Sequence, residues 1–158
     1  MSTRKRPGGR VWHPLRLHPL RVHIAEAPSV AQIVRMPVVL LVEDNADTRE
    51  MYASFFGSEG FRVLEAGDGL QALSSLAGER PDVMLLDLGL PRLNGVQVLR
   101  AIRRQPRLAD LPVVVVSGQL DLLNAADDIA AVVICPKPCE PQDLMRVVRS
   151  VLDRAGVH

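Results

Sequence analysis

The sequence predicts an α/β fold, in which helices cover both faces of a doubly wound, five-stranded parallel sheet. From residue 37 onward, short apolar runs rich in Val, Ile and Leu alternate with stretches of helical pattern. Such alternation is typical of right-handed βαβ units, and therefore of a parallel sheet. Aromatic residues make up only 3% of the chain, so aliphatic side chains must fill the core between the sheet and the helices.

The predicted strands differ in how completely apolar they are. They are Val38–Val42, Phe61–Glu65, Asp82–Asp87, Pro112–Ser117 and Ala131–Cys135. The unbroken apolar run of the first strand and the consecutive valines of the fourth indicate strands that are buried on both faces. The second strand alternates more between polar and apolar residues, which favours a position at the edge of the sheet.

Helical patterns fill the intervals between these strands. The predicted helices are 46–59, 68–76, 95–104, 119–128 and 141–155. In the first of them, Met51, Phe55 and Phe56 are expected to share one apolar side, and Gly60 is expected to end the helix. Asp68 is expected to cap the second helix through its side chain.

Charge divides the chain into two parts. Residues 1–36 contain seven Lys or Arg and a single Glu, whereas the remainder carries 12 basic and 17 acidic residues. We therefore expect a basic, disordered tail over 1–36 and a mildly acidic globular domain over 37–158. The acidic domain offers no broad basic face to nucleic acid. Met36 directly precedes the first strand, so translation from Met36 is an alternative that would remove the tail.

Composition also indicates the compartment. The two cysteines, Cys135 and Cys139, form no disulfide framework and lack the further ligands of a zinc site. The apolar runs fall well short of a bilayer span, and prolines and arginines interrupt any secretory signal. These features predict a cytoplasmic protein with no membrane partner. Cys135 is then expected to be a small strand hydrophobe, the alternative being oxidation of both cysteines beside Lys137.

Polar side chains follow all of the predicted strands except the second. Glu43 and Asp44 follow the first strand, Asp87 ends the third, Ser117 ends the fourth and Lys137 follows the fifth. Parallel sheets bind ligands beyond the carboxyl ends of their strands, where these groups converge. Each residue alone has an ordinary interpretation as a cap or a solvated group. Their joint occurrence at strand ends favours a functional site.

The chemistry of this set points to phosphoryl transfer. Clustered carboxylates repel one another unless a cation is present, and a ligand set made only of oxygens suits Mg²⁺. A carboxylate beside a divalent cation and an ammonium group is placed to attack a phosphoryl group. We therefore predict transfer of a phosphoryl group onto Asp87, followed by its hydrolysis. Ser117 and Lys137 are expected to contact the oxygens of that phosphoryl group.

The strand-end residues resemble the successive motifs of response-regulator receiver domains, over about 37–155. The matching stretches are Leu40-Leu41-Val42-Glu43-Asp44-Asn45, then Asp87-Leu88-Gly89-Leu90-Pro91 with Gly95, then Val115-Val116-Ser117-Gly118, and Pro136-Lys137-Pro138. The resemblance implies a flavodoxin-like three-layer sandwich with strand order 2-1-3-4-5. It also implies a stand-alone signalling switch that is not an enzyme and takes its phosphoryl group from a sensor histidine kinase or a histidine phosphotransfer protein.

The resemblance further assigns the metal ligands. Asp87 would be the phosphorylated aspartate. Mg²⁺ would be held by the side chains of Glu43, Asp44 and Asp87, together with the backbone carbonyl of Gly89. No other cofactor is implied.

The remaining roles concern the fourth and fifth strands. Ser117 and Lys137 would contact the phosphoryl oxygens, the Lys137–Pro138 bond would be cis, and a downstream protein would dock on the face of the fifth strand and last helix. The switch positions of the family correspond to Ser117 and Ile134. Since the family usually has Tyr or Phe at the second of these, the rotation of an aromatic ring is not available here.

Two other functions remain open at this stage. An interaction module that works without phosphorylation is one alternative, and Ile134 favours it. A Mg²⁺-dependent phosphatase of the haloacid-dehalogenase type is the other, because that family also uses an Asp nucleophile at a strand end. Such phosphatases need a second Asp two residues further on, where this chain has Gly89.

Overall fold

A five-stranded parallel sheet forms the centre of the protein, with strand order β2-β1-β3-β4-β5. The structure, a computed structural model, describes residues 35–124 and 132–157. The strands are β1 Val38–Val42, β2 Arg62–Ala66, β3 Val83–Leu86, β4 Val113–Ser117 and β5 Val133–Pro136. The strand order and the parallel pairing confirm the predicted fold class, and β2 lies at an edge as expected.

Helices cover both faces of this sheet. They are α1 Ala46–Ser58, α2 Gly69–Gly78, α3 Gly95–Arg103, α4 Asp121–Asn124 and α5 Pro141–Arg154. The predicted tail over 1–36 lies outside the described residues except for Arg35 and Met36, and so do the predicted helical residues 125–128. Within the described part of the chain, no helix combines the length and apolarity that a membrane span requires.

The alternating sides of the strands build two separate cores. Leu40 and Val42 belong to a core that α2 and α3 cover, whereas Val39 and Leu41 belong to a core that α1 and α5 cover. Successive side chains of a strand point to opposite faces, so a strand covered on both sides must be apolar throughout. This explains why β1, β3 and β4 are entirely buried.

Helix α1 packs through a different side than the sequence pattern predicted. Tyr52 and Phe56, one helical turn apart, are its buried residues, whereas Met51 is 46% exposed. The prediction for Met51 was therefore wrong, because the tyrosine ring takes the inward position. Gly60 follows the helix with a φ of +89°, a left-handed conformation that suits glycine at a helix end.

The start of α3 lies unusually close to the end of β3. A Cβ atom at Gly95 would lie 2.4 Å from the carbonyl oxygen of Asp87 and 2.7 Å from the Cα of Leu88. Both are backbone atoms, so they cannot move aside without shifting the strand end. Glycine is required here by this close approach.

Gly95→Ala is expected to lower the free energy of unfolding by about 1–3 kcal/mol, as is usual for overpacking. Gly57→Ala is the matched control, because a Cβ at Gly57 meets no atom within 4 Å. In the last turns of α1, this control is expected to be neutral or to stabilise by up to about 1 kcal/mol. Urea unfolding of both variants measures the difference. Equal stabilities would show that the strand end adapts to the added methyl group.

Candidate functional site

The strand-end residues singled out in the sequence converge at one edge of the sheet. The backbone ladders place them: the Asp87 N–H donates to the Val42 carbonyl at 3.0 Å, and the Lys137 N–H donates to the Ser117 carbonyl at 3.1 Å. Hydrogen bonds between strand ends thus bring residues that are distant in sequence next to each other. Glu43, Asp87 and Ser117 are buried, which leaves Asp44 as the exposed acidic member.

Asp87 lies at the centre of this group. Its Oδ2 accepts a hydrogen bond from Lys137 Nζ at 2.6 Å. Its Oδ1 accepts from Ser117 Oγ at 2.7 Å and from the Gly89 N–H at 3.0 Å. Both oxygens of this carboxylate are therefore oriented by donors from three different parts of the chain.

Lys137 joins two carboxylates. In addition to Asp87, its Nζ donates to Glu43 Oε2 at 2.6 Å. Burial lowers the pKa of Lys137, but the hydrogen bonds to Asp87 and Glu43 outweigh burial, and the pKa rises above its ordinary value. Burial likewise raises the pKa of Asp87, yet the hydrogen bonds from Lys137, Gly89 and Ser117 bring it below the ordinary value. Both groups are therefore ionised at neutral pH.

Glu43, Asp44 and Asp87 form a cluster that could hold a metal ion. One carboxylate oxygen from each residue lies within 4.8 Å of the others. The donor set consists of oxygen atoms only, which suits a hard divalent cation that retains several water ligands, such as Mg²⁺. The exposed Asp44 opens the cluster to solvent on one side, so the residues present fit a partly hydrated ion.

Gln119, which was not among the predicted site residues, also reaches this site. Its backbone N–H donates to Ser117 Oγ at 3.1 Å. Its carboxamide lies over Gly89, where an added Cβ would come within 2.7 Å of Gln119 Nε2. The position of Gln119 two residues after Ser117 was visible in the sequence, but the direction of its side chain was not.

Two further polar contacts around the site were missed. The hydroxyl of Tyr52 donates to the carbonyl of Cys139 at 2.7 Å, which links α1 to the segment after β5. Burial raises the pKa of Tyr52, so the hydroxyl remains a donor. Arg92, in a left-handed conformation with a φ of 65°, forms an ion pair with the buried Asp68 that caps α2. The cap had been predicted, whereas its arginine partner had not.

The segment after β5 contains one correction to the sequence analysis. Cys135 and Cys139 form a disulfide, with their Cα atoms 6.3 Å apart. The expectation of two separate thiols was therefore wrong, because the turn of the chain at Lys137 brings the two residues together. The Lys137–Pro138 peptide bond is cis, as expected. Ile134 lies on the surface, with 46% of its area exposed.

A parallel sheet of this order with acidic, hydroxyl and ammonium groups at one edge defines the receiver class of signalling modules, as opposed to the classical enzymes. Comparison with known proteins agrees: a family model described as the response regulator receiver domain matches residues 39–149. The chain therefore belongs to the response-regulator receiver family of two-component signalling.

Two relatives show how much of a receiver protein this chain matches. The DNA-binding response regulator MtrA of Mycolicibacterium paratuberculosis is 36% identical over 123 residues, which are 73% of this chain and 51% of that protein. Sporulation initiation phosphotransferase F of Bacillus subtilis is 27% identical over 114 residues, covering 72% of this chain and 92% of that protein. The chain thus spans about half the length of MtrA but nearly all of the phosphotransferase.

A solved structure gives the same result for the fold. The chemotaxis response regulator CheY4 of Vibrio cholerae superposes with a TM-score of 0.69 at 25% sequence identity. The match covers 74% of this chain and 99% of that one. The similarity therefore extends over the whole of that receiver fold and leaves about a quarter of the present chain outside it.

Proposed function

We propose that this chain accepts a phosphoryl group from a phosphohistidine onto Asp87 and acts as a phosphorylation-controlled signalling switch. The observation that carries this proposal is the pair of contacts on Asp87, whose two oxygens meet Lys137 Nζ at 2.6 Å and Ser117 Oγ at 2.7 Å. The Lys137 ammonium group and the Ser117 hydroxyl contact the carboxylate that would attack phosphorus. Both donors would therefore also lie beside the phosphoryl group that Asp87 receives.

The proposed reaction is a transfer between two nucleophiles. A carboxylate oxygen of Asp87 forms a bond to phosphorus while the bond from phosphorus to the histidine nitrogen breaks, and the histidine retains that electron pair. The Lys137 ammonium neutralises charge on the phosphoryl oxygens, and the Ser117 hydroxyl donates to one of them. Hydrolysis of the acyl phosphate by water later restores the carboxylate.

The proposed phosphorylation depends on Mg²⁺, which the acidic cluster would bind. The side chains of Glu43, Asp44 and Asp87, together with the carbonyl of Gly89, would hold Mg²⁺. When bound, Mg²⁺ would balance the charge of the carboxylates and of the incoming phosphoryl oxygens. The support for this assignment is the oxygen-only donor set whose members lie within 4.8 Å of each other.

The proposal also includes partners and a location. The phosphodonor would be a sensor histidine kinase or a histidine phosphotransfer protein in the cytoplasm. A downstream protein would bind the face formed by β5 and α5, where a shallow groove is lined by Val133, Val147 and Val151. The folded domain itself would not bind nucleic acid directly.

Incubation with Mg²⁺ and acetyl phosphate tests the proposed reaction. We expect the protein to gain the mass of one phosphoryl group, and we expect no gain when a chelator removes Mg²⁺. Intact-protein mass spectrometry reads both results. An unchanged mass in the presence of Mg²⁺, under conditions that modify another receiver domain, would contradict the proposal.

Asp44→Asn tests the metal assignment separately. Loss of this exposed carboxylate is expected to raise the Mg²⁺ concentration for half-maximal phosphorylation by about tenfold or more, the scale on which metal-site substitutions act. Asp47→Asn is the matched control, because Asp47 is an exposed acid in the first turn of α1 and lies outside the described cluster. If both variants shift the Mg²⁺ dependence equally, the effect is general electrostatics and Asp44 is no ligand.

Ile134 favours one alternative, an interaction module that works without phosphorylation. Because Ile134 has no aromatic ring, phosphorylation cannot be transmitted by the rotation of a ring between buried and exposed positions there. Binding of a partner captured by the wild type would then be the same for the Asp87→Asn protein. A switch, in contrast, predicts that phosphorylation changes the affinity for the partner and that the variant does not respond.

A further inference from the structure

A disulfide encloses the lysine of the proposed phosphoacceptor site. Cys135 and Cys139, which are the two cysteines of the chain, are bonded to each other across Lys137. The same Lys137 donates to Asp87 and Glu43. The covalent link therefore closes a short loop whose middle residue holds the two carboxylates.

The two cysteines are fixed in different ways. Cys135 belongs to β5, pairs with Val116 in the sheet and is buried. Cys139 follows the strand, is partly exposed, and receives the Tyr52 hydroxyl on its carbonyl at 2.7 Å. The disulfide therefore ties the segment that leads into α5 to the sheet, and its two cysteines lie on either side of Lys137 in the chain.

We propose that Cys135 and Cys139 are a reversible redox pair whose state sets how firmly Lys137 is held at Asp87. The effect on phosphorylation rests on the proposed function, whereas the existence of the redox pair does not. In the oxidised form, both sides of Lys137 are tied to the sheet. In the reduced form, the Tyr52 hydrogen bond and local packing hold the Cys139 side, so the ammonium group samples a wider range of positions.

The proposed exchange uses a small thiol and its disulfide, such as glutathione. A thiolate of the small molecule attacks the sulfur of the more exposed Cys139, a new sulfur–sulfur bond forms, and Cys135 leaves as a thiolate. A second small thiolate attacks the mixed disulfide and releases Cys139. Two electrons pass from two small thiols to the protein, which ends with two thiols while the small molecule ends as a disulfide.

The proposed compartment makes reversibility the expected behaviour. Cytoplasmic proteins are kept reduced, and the disulfides they do form are usually transient, catalytic or redox-sensing. Formation or cleavage of a bond between the two residues that flank Lys137 would directly affect the position of that site lysine. Because the bond joins residues only four apart, it constrains the unfolded chain little and is expected to contribute little to stability.

Alkylation in glutathione buffers tests the redox pair without reference to phosphorylation. The full chain is equilibrated in mixtures of reduced and oxidised glutathione, treated with N-ethylmaleimide and weighed. We expect two added groups in reducing mixtures and none in oxidising mixtures. Protein that starts reduced and protein that starts oxidised are expected to give the same midpoint ratio of the two glutathione forms. Two reactive thiols in every mixture, or none in any, would overturn the proposal.

Phosphorylation of the two redox forms tests the link to Lys137. At saturating acetyl phosphate and Mg²⁺, we expect the oxidised protein to be modified about threefold to tenfold faster than the reduced protein, since small displacements of a positioned group slow transfer strongly. The Cys135→Ser/Cys139→Ser double variant is expected to match the reduced protein and to ignore glutathione. Circular dichroism of each form shows that all are folded.

The possible failures are distinguishable. Equal rates for the two redox forms would overturn the link to Lys137. A double variant that still responds to glutathione would overturn the assignment to these cysteines. If neither redox form takes up phosphate, the proposed function is contradicted and the link to phosphorylation falls with it, while the alkylation result still decides whether the redox pair exists.

Discussion

The Asp87→Asn protein is expected to take up no phosphate from acetyl phosphate and Mg²⁺, whereas the wild type gains one phosphoryl group. The amide keeps the shape of the carboxylate but lacks the negatively charged oxygen that attacks phosphorus. Lys137 and Ser117, which donate to the two Asp87 oxygens, would remain in place. The measurement is intact-protein mass spectrometry after a fixed incubation.

Asp110→Asn is the matched control for this experiment. Asp110 lies just before β4, at the end of the sheet away from the site, and its side chain is 84% exposed. The same change from acid to amide there is expected to leave phosphorylation unchanged. Phosphate uptake by the Asp87→Asn protein would place the acceptor on another residue, and peptide mapping of the modified protein would identify it.

The Lys137→Ala protein is expected to be phosphorylated about 100-fold to 1,000-fold more slowly than the wild type, the range seen when one donor to a developing charge is removed. Without the ammonium group, the charge on the phosphoryl oxygens is no longer balanced from this side. Removal of Lys137 also leaves Glu43 and Asp87 without their shared cation, so the pKa of Asp87 is expected to rise. Initial rates at saturating acetyl phosphate measure the loss.

Arg149→Ala controls for the loss of a positive charge. Arg149 lies on α5 and pairs with Glu59 at 3.0 Å, with more than half of its side chain exposed. Its replacement removes the same charge without touching Asp87, so the rate is expected to stay near that of the wild type. If Lys137→Ala and Arg149→Ala slow the reaction equally, Lys137 acts only through the overall charge of the protein.

The fold could be predicted from the sequence because the pattern of apolar residues in each strand reflects how far that strand is buried. A strand covered on both faces must be apolar along its length, and β1, β3 and the first four residues of β4 are apolar in this way. The polar residue that follows each such run then marks the edge where the strands end together. The pattern therefore predicts that Asp87 and Ser117 lie side by side, and the end of the edge strand β5 adds Lys137 to them.

The errors have a different physical origin, because they depend on the directions of individual side chains. Met51 and Tyr52 are adjacent, and helical periodicity alone does not decide which of two neighbouring apolar residues turns inward. The disulfide depends on how the chain turns between Cys135 and Cys139, and a separation of four residues says little about that turn. The ion pair of Arg92 depends on a left-handed residue in a loop, for which the sequence carries no clear signal.

The two loops beside Asp87 differ in mechanical freedom. The loop after β3 is anchored twice, by Arg92 on the buried Asp68 and by Gly95, which has no room for even a methyl group. In the loop after β4, a Cβ at Gly118 would meet open space. If Asp87 is phosphorylated as proposed, we expect the resulting displacement to pass mainly through the loop after β4, from Ser117 towards α4, because that loop lacks the two restraints of the loop after β3.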